Sequence, residues 1–162
     1  MLVNAHPFVT REKNIMSSKI WVLVASSARA ILFSAEDRGG SLHNEERWED
    51  AMARLHDQDI NTDRPGRSFD SHGEGRHAME PRVDPKTEEA EHFARFVGEH
   101  LRETMQAQGG CERLHLIAAP EFLGHLRNCL DHHLQTKIVS EIPKDLVMLD
   151  SEDIRKHLPD FL

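Results

Sequence analysis

Lys19–Ser26 reads KIWVLVAS, an unbroken apolar and β-branched run that contains no turn former. A run of this length without polar alternation suits a strand covered on both faces, so it predicts the centre of a sheet with layers on either side. Ala28–Ala35, ARAILFSA, follows after a single residue and predicts a hairpin partner. Asp37, Arg38, Gly39 and Gly40 mark the next turn, and the more polar Ser41–Trp48 predicts a third antiparallel strand at an edge.

The second half changes period. Asp84 is a good N-cap with Pro85 at the first helical position, and Phe93, Phe96, Val97, Leu101 and Met105 recur at helical spacing until Gly109 and Gly110. Arg113–Ala119, RLHLIAA, predicts a buried strand; Pro120 opens a helix with Phe122, Leu126, Cys129 and Leu130 inward. Thr136–Ile142 predicts a fifth strand ended by Pro143, and Asp150 or Ser151 caps a last helix reaching His157. The order βββαβαβα predicts an α/β fold of ribonuclease-H-like type, a mixed five-stranded sheet flanked by helices.

At 162 residues the chain fits one domain, expected over residues 19–162 with a flexible N-terminal extension over 1–18. That extension lacks the hydrophobic segment of a signal peptide, and no stretch reaches transmembrane length. A cytoplasmic protein without membrane insertion is the expectation. Cys111 and Cys129, the two cysteines, lack metal-site spacing and are too few for a disulfide framework. With 28 acidic against 20 basic residues, the formal charge of −8 opposes broad wrapping by nucleic acid and leaves only a local basic patch for such a partner.

The candidate for such a contact is the segment 51–82, read as a long loop of nearly balanced charge that ends in RPGRSFDSHGEGRHAMEPR. Loops this long in compact domains are usually functional or disordered. Gly66, Gly73 and Gly75 allow close backbone approach to an anion, and Arg64, Arg67, Arg76 and Arg82 offer forks for phosphate or carboxylate. Ser68, His72 and His77 complete the candidate ligand set. Asp57, Asp59, Asp63, Asp70, Glu74 and Glu80 offer the same arginines internal partners, so cohesion of the loop and anion binding both stand open.

Several chemistries find little footing. A two-metal nuclease needs a carboxylate on the first strand, and Lys19–Ser26 has none. Ser68, Asp70 and His72 are residue types of a hydrolytic triad, yet nearness in sequence does not assemble one, and no G-x-S-x-G elbow is present. His125, Cys129 and His133 fall at i, i+4 spacing on the expected helix, where Phe122, Leu126 and Leu130 make a core thiol the better account than a metal site. Glu121, at the strand-to-helix junction Ala118–Glu121, suits the helix dipole. No cofactor is implied.

The strings SKIWVLVASSARAILFS, DRPGRSFDSHGEGRHAMEPRVDPKTEEAEHFA, LIAAPEFLGHLR and VSEIPKDL, taken in order, resemble the bacterial host attachment protein family over nearly all of Ser18–Pro159. That family looks related to bacterial relatives of peptide release factors, a relation that implies RNA or ribosome contact. The Gly-Gly-Gln of release factors has as its nearest counterpart Gly39, Gly40 and Ser41, and no catalytic residue carries over. The expectation is a noncatalytic binding domain that contacts a phosphate-bearing partner through its Arg-, Gly- and His-rich loop. The alternatives are a hydrolase of phosphoesters or esters using His72 or His77, and an adhesion or scaffold protein.

Overall fold

The computed structural model describes residues 20–51 and 84–162. Its elements follow in the order β1 (Ile20–Ala25), β2 (Arg29–Ala35), β3 (His43–Glu49), α1 (Pro85–Ala107), β4 (Arg113–Ala118), α2 (Pro120–Cys129), α3 (His132–Gln135), β5 (Ile138–Pro143) and α4 (Ser151–His157). The strands form one open mixed sheet in the order β3-β2-β1-β4-β5. β1 pairs antiparallel with β2 and parallel with β4, while β3 joins β2 antiparallel and β5 joins β4 parallel.

The central place of β1 follows from its composition. Trp21, Leu23 and Ala25 face one side with Leu114, Leu116, α1 and α2. Ile20, Val22 and Val24 face the other, with Leu146, Val147, Ile154 and Leu158. Side chains alternate along a strand, so only an all-apolar sequence satisfies two buried faces. The polar β3 takes an edge and buries only Trp48.

The α1 boundaries are set as the sequence predicts. Asp84 accepts from Lys86 N, and the helix stops where Gly109 and Gly110 adopt φ of 88° and 99°. Gly110 N then donates to Met105 O at 2.8 Å, a left-handed closure that side chains other than glycine's resist.

Four boundaries differ from expectation. Helix α2 ends at Cys129 because Leu130 turns extended and buries itself; Asp131 then accepts from Leu134 N and starts the short α3. His125 and His133 therefore do not share one helix face, while Cys129 is a half-buried thiol packed against the core at the seam between α1 and α2. Thr136 caps α3 instead of opening β5, and Pro143 is the last residue of β5. An edge strand tolerates proline, which costs no ladder donor on its open side. Ala51 has helical backbone where the sequence predicts the start of a loop.

Candidate functional site

Helices α1 and α2 lie side by side and run in the same direction. Phe93 stacks on Phe122 with ring centroids 6.0 Å apart, Glu91 Oε1 is 3.8 Å from His125 Nδ1, and further along Gly98 faces the carbonyl of Cys129. From the Phe93–Phe122 stack to the Gly98–Cys129 approach the contacts advance along both helices, which means parallel axes. Because α2 leaves the carboxyl end of β4 and folds back over the sheet, both helices begin at the edge where β1, β4 and β5 end.

Helix α4, on the opposite face, has the same sense. Arg29 at the start of β2 donates to Met148 Sδ at 3.1 Å just before α4, whereas Arg155 near its end reaches Gly40 O at 3.1 Å in the turn beyond β2. Three helices thus direct their N-termini, the positive ends of their dipoles, to the carboxyl edge of the parallel strands. This is the edge at which open α/β sheets most often hold ligands.

The local groups at this edge are few. Ser26 leaves β1 and its Oγ accepts from Arg29 N at 3.2 Å, tightening the β1-β2 turn. Ala119, the N-cap of α2, provides no side-chain acceptor for the first turn, and Glu121 there is exposed. Asp50 N donates to Ala28 O at 2.9 Å, so the chain after β3 is fastened to the same edge. The chain re-enters at Asp84, the N-cap of α1. Both anchors of the arginine-rich segment therefore stand at the carboxyl edge. Arg64, Arg67, Ser68, His72, Arg76, His77 and Arg82 themselves lie outside the described residues.

A family model for the protein required for attachment to host cells matches residues 21–158, from β1 to the end of α4. The chain belongs to this host attachment family. No curated protein matches the sequence. In this member of the host attachment family, no helix among the described residues is long and apolar enough to cross a membrane. No group of three or more His, Cys, Asp or Glu among them is placed to hold a metal ion.

The two thiols are unsuited to nucleophilic work in this fold. Burial pushes the Cys111 thiol up to about 11, and burial also raises that of Cys129. A thiolate is the reactive form, so folded protein at pH 8 is expected to react slowly with a disulfide reagent, Cys129 first and Cys111 only on unfolding. Counting thiols released with and without denaturant checks this.

Two features carry no signal that sequence reasoning can use. His115 reads as part of a buried strand, yet it is the one fully buried histidine among the described residues, with Nδ1 2.6 Å from Ser140 Oγ. Ser26 and Asp50 are equally inconspicuous, since their role follows from which strand ends meet. The junction Ala118–Glu121, by contrast, is visible as a strand running into a proline-led helix.

Proposed function

We propose that this member of the host attachment family is a noncatalytic binding domain whose carboxyl edge receives the phosphate backbone of RNA. The observation that carries the proposal is the convergence of helix N-termini and both anchors of the segment 52–83 on one edge. Backbone N–H groups at helix starts and arginine forks are complementary to phosphate oxygens. Arg64, Arg67, Arg76 and Arg82, with Ser68, His72 and His77, would supply the contacts from that segment. A chain of charge −8 leaves RNA only local arginine contacts of this kind, because its overall field repels a polyanion. The strand order β3-β2-β1-β4-β5 with parallel β1, β4 and β5 supports a ribonuclease-H-like reading of the sheet, and with it a release-factor-like relation and a ribosomal partner. A role in attachment then runs through the cell's own RNA metabolism.

Filter binding of single-stranded RNA across a salt series tests this. Wild-type affinity is expected to fall with salt. The Arg67→Ala/Arg76→Ala variant is expected to bind more weakly with a slope shallower by about 1.4, since each phosphate that an arginine ceases to neutralise removes about 0.7. Salt-insensitive retention, or a slope the variant leaves unchanged, contradicts the proposal.

A further inference from the structure

The turn between β5 and α4 holds apolar side chains out in solvent at the edge where β1, β4 and β5 end. Leu146 and Val147 are buried against the sheet, and Leu149 N donates to Leu146 O at 3.0 Å. The turn is therefore anchored from below, yet Met148 is 78% exposed and Leu149 beside it 38%. Two neighbouring apolar groups in water at an otherwise polar edge form a small shelf that the core does not use.

Arg29, at the start of β2, adjoins this shelf. Its Nη1 donates to Met148 Sδ at 3.1 Å, and its Nε is held by Glu49 Oε1 at 3.0 Å. Nη2 has no partner among the described residues, and the side chain is partly exposed. A planar guanidinium fixed at two nitrogens presents its remaining donors in one direction. Glu49 offsets part of the charge, so what Arg29 offers is a placed pair of N–H donors more than a long-range field.

Donors beside a thioether and an alkyl group match the two halves of one nucleotide. Phosphate oxygens accept from the guanidinium, and the aromatic base lies on the polarisable sulfur and its neighbour. A duplex keeps its bases within the stack, whereas an unpaired strand can turn one outward. We infer that this edge takes unpaired RNA, with a base on Met148 and Leu149 and the adjoining phosphate on Arg29. The inference rests on the RNA-binding reading of the carboxyl edge and adds to it which form of RNA is held and by which described side chains.

The test is filter binding of the full chain to an RNA oligonucleotide, alone and annealed to its complement, across a salt series. Met148→Ser is expected to weaken single-strand binding about fivefold at unchanged salt slope, and to leave duplex binding as it is. Arg29→Gln, with its fold verified by circular dichroism, is expected to make the single-strand slope shallower by about 0.7. Phe161→Ser, at a side chain equally exposed but beside Arg38 at the opposite edge, is expected to bind as wild type does. Wild type that retains no RNA sinks this inference together with the reading it rests on. Wild-type retention with Met148→Ser undiminished or diminished equally on the duplex, or with the slope unmoved in Arg29→Gln, overturns this inference alone.

Discussion

Replacing Gly98 by leucine is expected to destabilise the fold by about 3 kcal/mol, near the upper end for overpacking. A Cβ at this position stands 3.0 Å from the backbone carbonyl oxygen of Cys129. That oxygen belongs to the end of α2 and has no rotamer through which to withdraw, so a larger side chain must drive the two helices apart. Separation exposes the surface that Val97, Leu101 and Leu126 bury between the helices and the sheet. Alanine is a sharper probe of the same approach. It gains about 1 kcal/mol of helix propensity over glycine, which the close approach offsets, so Gly98→Ala is expected near neutral. Urea unfolding of the three proteins checks the order, and equal stability of the leucine variant would mean that α1 and α2 are not in close contact there.

Acidification is expected to remove about 3 kcal/mol of stability through His115 alone. Burial, with Arg113 and Arg155 adding to it, lowers this histidine from 6.5 to about 4. Between these values the unfolded chain holds a proton that the folded chain does not, so protonation favours unfolding. The contribution of neutral His115 is fully present above pH 6.5, falls as the pH drops through that window, and is gone below about 4. Unfolding free energies measured at pH 7, 5.5 and 4.5 should decline accordingly, and His115→Leu should flatten the decline. A wild-type curve no steeper than the variant's would place His115 in contact with water or a carboxylate.

Most of the fold is legible from short signals with local causes. The apolar β1 announces two covered faces, Asp84 and Pro85 open α1, and Gly109 and Gly110 close it through a backbone conformation that needs no distant partner. The break between α2 and α3 is hidden because Phe122, Leu126, Cys129 and Leu130 keep helical spacing through it. What interrupts them is Asp131, whose carboxylate finds Leu134 N, together with Gln135 Nε2 donating to Leu130 O at 2.9 Å. The same pattern makes His125, Cys129 and His133 look like one face.

The candidate edge is legible in part. Its arginines, glycines and histidines are conspicuous in sequence, and so is the strand-to-helix junction before Glu121. That α1 and α2 run parallel and begin together depends on the pairing of β1 with β4, a contact between segments about ninety residues apart. His115 shows the same limit: RLHLIAA looks like any covered strand, and its chemistry comes from Arg155 and Ser140 further along the chain.

The most direct test of the proposed RNA-binding edge is amide chemical-shift mapping of the full chain during titration with a single-stranded RNA. The expected result is perturbation of the amides of Ser26, Ala28, Lys86, Glu121 and Phe122, with those of Arg38, Gly40 and Arg113 at the opposite edge unmoved. Shifts confined to the amino edge, or none at RNA concentrations that saturate filter binding, would contradict the account.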